Sequence, residues 1–162
     1  VMGAGGQLGN CLLRRFAMDT DVFWVGYTKQ ELDICDSLKI QEVLLHERPD
    51  VVINAAAYTD VDKAEGEREK TWEVNAVAPG YVARVCSELN IDLIHISTDY
   101  VFNGEDGGTE EKPYVESDQV NPIGVYGESK AEGERAVVKA MKQGGGRYQL
   151  GHKRNYALGI FP

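Results

Sequence analysis

Gly3-Ala4-Gly5-Gly6-Gln7-Leu8-Gly9 stands two residues into the chain, and its reading decides the fold. The glycines are spaced Gly-x-x-Gly-x-x-Gly. A turn of this kind joins the first strand of a β-α-β unit to its first helix. The glycines permit the tight turn and let a pyrophosphate approach the backbone at the helix N-terminus. A glycine-rich loop of no special purpose would not need a periodic segment behind it. Here apolar residues recur at Leu8, Leu12, Leu13 and Phe16, which predicts a helix, and Val22-Phe23-Trp24-Val25 then reads as a strand. Only Val1 and Met2 precede the turn, so the first strand is cut short in this sequence.

Outward from that strand, the residues bear on cofactor choice. An acid about 20 positions past the glycines would bond a ribose 2′-hydroxyl and favour NAD. The segment is instead Gly26-Tyr27-Thr28-Lys29, with no acid before Glu31. Thr28 and Lys29 suit a 2′-phosphate, so the expectation leans to NADPH, with NADH left open. Glu31 to Asp36 reads as a loop that places Asp33 and Ile34 near an adenine, and Asp36 or Ser37 as a helix cap. The helix runs to about Glu47. Val51-Val52-Ile53 is a wholly apolar strand suited to the middle of a parallel sheet. It empties into Asn54-Ala55-Ala56-Ala57-Tyr58-Thr59, where three alanines leave room for a flat ring and a ribose, or equally begin a plain helix.

Asp60 to Glu73 is charged and reads as a solvated helical surface. Helical periodicity continues through Trp72, Val74 and Val77 to Leu89, with Pro79 marking a kink or a restart and Asn75 reading as structural. Ile91 to Ile96 is the next strand, and His95 on it reads as a core or interface residue. Ser97-Thr98-Asp99-Tyr100 follows at the carboxyl edge, where ligands bind in open α/β sheets. Thr98 there is a hydrogen-bond donor for a substrate carbonyl, or a hydroxyl serving its own backbone. Asn103 to Asn121 is a long loop of the length that tends to carry function. It leads to Pro122, Tyr126 and a helix read over Ser129 to Lys142.

Tyr126 and Lys130 are four apart, which puts them on one helix face. A tyrosine with its ordinary pKa of about 10 is a poor acid at neutrality. An ammonium held beside it stabilises the phenolate and makes the pair a general acid/base. An isolated Tyr-x-x-x-Lys is more readily an amphipathic surface pair. The glycine turn and the hydroxyl after a strand supply what else a dehydrogenase needs.

Composition narrows the field. A net charge of −9 argues against nucleic acid, which needs a basic face. No apolar run approaches the ~20 residues that span a bilayer, and no signal peptide is visible, so a cytoplasmic location is expected. Cys11, Cys35 and Cys86 are odd in number and far apart; they read as reduced, mostly buried thiols and not as a disulfide framework or metal site. The chain has no initiator methionine and ends in a basic stretch after Gly144-Gly145-Gly146, so it reads as a fragment.

The order of these features gives a Rossmann-type doubly wound parallel α/β sheet with helices on both faces. It resembles the extended short-chain dehydrogenase/reductase superfamily. Within it, the blocks at 3–9, 31–34, 49–59, 61–65, 97–102 and 125–130 are similar to those of the dTDP-4-dehydrorhamnose reductase family, over residues 3 to about 140. The resemblance implies reduction of the 4-keto group of a dTDP-linked 6-deoxyhexulose to dTDP-L-rhamnose. It implies Thr98, Tyr126 and Lys130 as catalytic residues: Tyr126 protonates the alkoxide, Lys130 holds the nicotinamide ribose, and Thr98 bonds the keto oxygen with Asp99 close to the substrate. It implies Gly3, Gly6, Gln7 and Leu8 at the pyrophosphate, Asp33 and Ile34 at the adenine, and Ala57, Tyr58 and Thr59 toward the nicotinamide. No metal ligand set is implied; a Mg2+ requirement and a homodimer are left open.

The same resemblance implies an NAD(P)-binding domain over residues 1–143, a divergent tail over 144–162, and a substrate domain outside this sequence. The piece alone is expected to be inactive. Residues 148–161 do not read like the family and are either a misjoined end or a divergent strand. Other readings share the Tyr/Lys pair: another nucleotide-sugar epimerase or dehydratase of the superfamily, or a non-catalytic reductase-like regulatory subunit. A fragment without function is the third.

Overall fold

The computed structural model of the chain describes residues 1–105, 107–109, 111–115 and 117–153. Its sheet is built on the two apolar segments read as strands. β1 (Val51–Asn54) and β2 (Asp92–Thr98) pair in parallel, with Val51 opposite Asp92 and Asn54 opposite His95. β3 (Tyr148–Lys153) joins the other edge of β2, again in parallel, with Leu93 opposite Tyr148. Over these residues the C-terminal stretch is a strand; residues 154–162 lie outside the described residues.

On the far side of β1, the start of the chain continues the sheet. Met2 donates its N–H to the Ile53 carbonyl at 2.9 Å, and its own carbonyl accepts from Ala55 at 3.1 Å. Met2 also bridges Tyr27 in parallel. Tyr27 donates to the Val1 carbonyl and Ala4 donates to the Tyr27 carbonyl, both at 2.9 Å. The spatial order is therefore Tyr27, Met2, β1, β2, β3.

The expected strand at Val22–Val25 does not form. Phe23 is 89% exposed and Val22 is exposed beside it, while Trp24 stacks on Phe16 with ring centroids 3.6 Å apart. Strand propensity is expressed only against a neighbour with backbone groups to trade. Val1 to Gly3 meets this segment only at its end, through the Tyr27 bridge and the Val1 amine, which donates to the Val25 carbonyl at 2.6 Å.

From Met2 the chain steps to one flank at Tyr27 and then crosses to the other flank at β1. This reversal opens a crevice at the carboxyl ends of the strands. Right-handed crossovers place α1 (Gln7–Phe16) on one face. They place α2 (Ser37–Glu47), α5 (Ala78–Leu89) and α6 (Val125–Gly144) on the other. Packing agrees. Ile40 and Leu44 of α2, Val82 and Cys86 of α5, and Val137 and Met141 of α6 form one buried cluster with Met2, Val52 and Leu93. Leu12 of α1 is buried outside that cluster. The doubly wound arrangement with helices on both faces is the one formed.

Local signals explain most helix ends. Asp36 caps α2 by accepting from the Lys39 N–H at 2.9 Å. Asp60 caps the short α3 (Val61–Gly66) in the same way through Lys63. α4 (Arg68–Trp72) then runs into a π turn over Glu73–Val77 before α5 begins. Pro79 explains this turn. It has no N–H to give the Asn75 carbonyl four residues back, and its ring needs room there. The wider turn supplies that room, and Pro79 restarts the helix without breaking it. α6 begins at Val125, four residues before the Ser129 expected from sequence. The reason is remote: the Glu65 carboxylate of α3 accepts from the Val125 N–H at 2.8 Å.

The expectation of mostly buried thiols fails at Cys11. Cys86 is buried and Cys35 half-buried, but Cys11 is exposed on α1. Among the described residues no helix is long and apolar enough to cross a membrane.

Candidate active site

The site begins with backbone sterics. Gly3 has φ of +79°, and a Cβ there would lie 2.7 Å from the Ala56 nitrogen, so the turn passes directly under the loop after β1. At Gly9 a Cβ would lie 2.3 Å from the Gly3 carbonyl oxygen, so α1 sits on the turn itself. Above this floor a cleft of about 520 Å³ opens at the carboxyl ends of the strands. Gly3, Gly6, Gln7 and Leu8 form one wall. The N-cap of α1 is Gly6, which makes no side-chain capping bond, and no acid stands in the first turn. α2 and α3 are capped by aspartates instead. The positive end of α1 is thus left for an anion in the cleft.

At one end of the cleft lie Asp33 and Ile34, with Thr28, Lys29 and Gln30. Glu31 accepts from both the Thr28 N–H and its hydroxyl at 2.8 Å, and these bonds hold its carboxyl below the usual range. The nearest acid is therefore engaged with Thr28. Lys29 makes only an exposed contact with Asp33 at 3.7 Å, an ion pair of small worth.

Toward the other end stand Ala57, Tyr58 and Thr59, then Tyr126 and Lys130. Of the two readings of the alanine stretch, the cleft-lining one is what residues 55–57 do; the helix starts later, at Val61. Tyr126 is buried and packs edge-to-face on Tyr100. Burial pushes its phenol above the ordinary value, its hydrogen bond with Thr98 pulls it back, and Asp99 pushes it up. Thr98 and Asp99 do not line the cleft. Thr98 also accepts from the Tyr100 N–H at 3.2 Å, so its hydroxyl serves the turn Asp99–Val101 as well as the phenol.

Lys130 lies beneath the cleft with 2% of its surface exposed, and its ammonium donates to the Ile96 carbonyl at 2.6 Å. Burial lowers its pKa to about 8, against the raising influence of Glu134. The expectation of a phenol lowered by this lysine is not met in this geometry. The ammonium is committed to the β2 backbone, and desolvation dominates at Tyr126.

Sequence reading gave Asn75 a structural role without saying what it holds. Asn75, in the π turn, accepts from the Tyr58 N–H at 2.8 Å and donates to the Tyr58 carbonyl at 2.9 Å. Its amide nitrogen also reaches the Ser129 hydroxyl at 3.2 Å. Ser129 donates in turn to the Tyr126 carbonyl at 2.7 Å. The loop after β1 and the first turn of α6 are thereby tied together. A polar residue set among Val74, Ala76 and Val77 was the available signal. His95 is fully buried on β2 and bonded through Nδ1 to the Asn54 amide at 3.2 Å. Burial and the nearby Lys130 hold it well below its ordinary pKa, so it is a neutral core residue. Among the described residues no cluster of His, Cys, Asp and Glu could hold a metal ion.

The chain is 43% identical over 143 residues to a dTDP-4-dehydrorhamnose reductase of Mycobacterium tuberculosis, covering 88% of this chain and 46% of that protein. The structure of a dTDP-4-dehydrorhamnose reductase from Clostridium acetobutylicum superimposes with a TM-score of 0.84 at 34% identity, over 93% of this chain and 51% of that one. A dTDP-4-dehydrorhamnose reductase from Bacillus anthracis, solved in complex with NADP, gives 0.82 at 34% identity, over 93% and 50%. The chain thus spans about half the length of the relatives it matches. The family model described as RmlD substrate binding domain matches residues 1–144, and the chain belongs to that family.

Proposed function

We propose that this chain is the cofactor-holding part of an NADPH-dependent reductase that converts the 4-keto group of dTDP-4-dehydro-L-rhamnose to the hydroxyl of dTDP-L-rhamnose. Residues 1–143 form the dinucleotide-binding unit, with β3 added to its sheet, and a further domain of the full-length protein completes the sugar-nucleotide site. One observation carries the reading. Tyr126 and Lys130, a turn apart on α6, open onto the same cleft as the glycine turn and the uncapped start of α1.

The residues present fit a dinucleotide. The Gly6 N–H closes the turn onto the Gly3 carbonyl at 3.0 Å, the backbone N–H groups of Gln7 and Leu8 behind it suit a pyrophosphate, and the small side chains of Ala55 to Ala57 leave the cleft open for a ring. Asp33 and Ile34 flank the adenine end, and Tyr58 and Thr59 the nicotinamide end. Lys29 is the group that suits a 2′-phosphate, since the N–H and hydroxyl of Thr28 are both given to Glu31. A reduced nicotinamide, when bound, supplies the hydride. Tyr126 delivers the proton to the substrate oxygen, with Thr98 bonded to the phenol and Asp99 beside it. Lys130, anchored on the Ile96 carbonyl at the cleft floor, holds the ribose.

The test is NADPH oxidation by the full-length protein on dTDP-4-dehydro-6-deoxy-L-mannose. Consumption matched by dTDP-rhamnose is expected, faster with NADPH than with NADH. NADPH binding without consumption would assign the chain to another keto-sugar or to a non-catalytic subunit.

A further inference from the structure

Among the described residues, two buried side chains carry charge: Lys130 and Glu134. They stand one helical turn apart on α6, and both face β2. An isolated buried charge is penalised by several kcal/mol, so a buried cation and anion at this spacing act as a unit. Lys130 has a role in the function proposed above; Glu134 has none. Nor does Ser97, which lines the cleft between them and donates its hydroxyl to Glu134 Oε1 in a short hydrogen bond.

We infer that Glu134 is a positioning residue for Lys130, the fixed counter-charge that keeps its ammonium protonated and aimed beneath the cleft, with Ser97 holding the carboxylate in place. The surroundings leave this role to Glu134 alone. From β2, His95 is neutral and adds no negative charge. From α6 itself, Tyr126 is a protonated phenol. Beyond β2, Asp99 acts on Tyr126 and Lys70 lines the cleft mouth, but the carboxylate that raises Lys130 is that of Glu134. Opposing it, burial draws the ammonium down to about 8. A lysine poised there is sensitive to the loss of a single neighbouring charge. The ammonium itself is fixed at the Ile96 carbonyl on β2, and Ser97 of the same strand fixes the Glu134 carboxylate.

The inference rests on the cofactor reading only for its second readout. The first is the titration of Lys130 itself, followed by NMR of the full-length protein with labelled lysine and assigned through Lys130→Arg. In Glu134→Gln, which keeps shape and removes charge, the Lys130 midpoint is expected to fall by about one pH unit or more. Ser97→Ala shifts it in the same direction by less, and serves if Glu134→Gln folds poorly. Glu132→Gln, on the exposed side of the same helix, leaves it in place. The second readout is NADPH affinity against pH. A one-unit fall makes binding to Glu134→Gln about fivefold weaker at pH 8 and leaves it little changed at pH 6. An unmoved Lys130 midpoint in both variants overturns the inference, whatever happens to thermal stability. Failure of the unsubstituted protein to bind NADPH overturns the cofactor reading instead, and leaves the lysine titration to decide on Glu134.

Discussion

Asn75 grips the backbone of Tyr58 from both sides, accepting from its N–H at 2.8 Å and donating to its carbonyl at 2.9 Å. The two residues are 17 apart in sequence. A loop that has no strand partner at this point finds its hydrogen bonds in one buried side chain. In Asn75→Ala both Tyr58 groups lose their partner in a half-buried place. Stability is expected to fall by about 2 kcal/mol, read by denaturant titration. NADPH affinity should fall with it, because Tyr58 lines the cleft. Unchanged affinity in a destabilised variant would separate the loop from the cofactor.

Tyr126→Phe keeps the ring, its packing on Tyr100 and the helix, and removes only the hydroxyl. Turnover by the full-length protein is expected to drop roughly 10²–10⁴-fold, the usual worth of a positioned acid. The dissociation constant for NADPH should stay within about twofold, since a hydroxyl needed only for proton delivery adds little to ground-state binding. A stopped assay for dTDP-rhamnose, run beside a fluorescence titration of NADPH, measures both.

Two glycine substitutions should behave in opposite ways. Gly9→Ala places a methyl 2.3 Å from the Gly3 carbonyl oxygen and 2.8 Å from the Ala4 Cα. Both neighbours are backbone and cannot swing aside, so a loss of at least about 2 kcal/mol is expected. Gly66→Ala, at the end of α3, meets nothing within 4 Å and needs no positive φ. It should be neutral or gain up to about 0.5 kcal/mol from reduced unfolded-state entropy. Thermal denaturation of the pair distinguishes them.

The lysine under the cleft gives a pH signature. Its folded-state pKa of about 8 lies below the 10.5 of an unconstrained lysine. Below pH 8 the side chain is charged in both states and the full burial penalty is present. Between pH 8 and 10.5 the unfolded chain binds more protons than the folded one, so this group makes stability rise with pH. The rise is on the order of 3 kcal/mol across that window. Lys130→Met removes it. Denaturant unfolding of both proteins at pH 7.5, 9 and 10 should show the difference between them shrinking or reversing as pH rises.

Much of this architecture is legible in the residues. The glycine spacing, the Asp36 cap and the uninterrupted Val51–Ile53 run are local signals, and local physics places them. Val22–Val25 has the right residues for a strand and fails because strand formation depends on a neighbour. The early start of α6 is hidden because its capping carboxylate, Glu65, comes from a helix 60 positions earlier in sequence. Within the site, the cleft-lining residues follow from strand ends and glycine spacing. Thr98 and Asp99 are set back from the cleft because the turn after β2 folds over Thr98. The partners of Asn75 and the role of Glu134 were not legible for one reason: a buried polar side chain gains meaning from what it touches, and those contacts cross from one element to another. The spacing of Glu134 from Lys130 was readable, but its burial was not.

The π turn at Glu73–Val77 sets the rotational phase between the helical surfaces on either side of it. Each α-helical residue advances the surface by about 100°. The wide turn shifts that phase once, so that buried Thr71 on one side and the Val82–Cys86 face on the other both meet the protein interior. α6 passes so near that a Cβ at Gly133 would fall 2.1 Å from the Asn75 carbonyl oxygen. Removing one residue from the turn would swing the whole apolar face of α5 off the sheet and drive the Asn75 amide away from Tyr58. The spacing from Tyr58 to Pro79 therefore behaves as a fixed gauge.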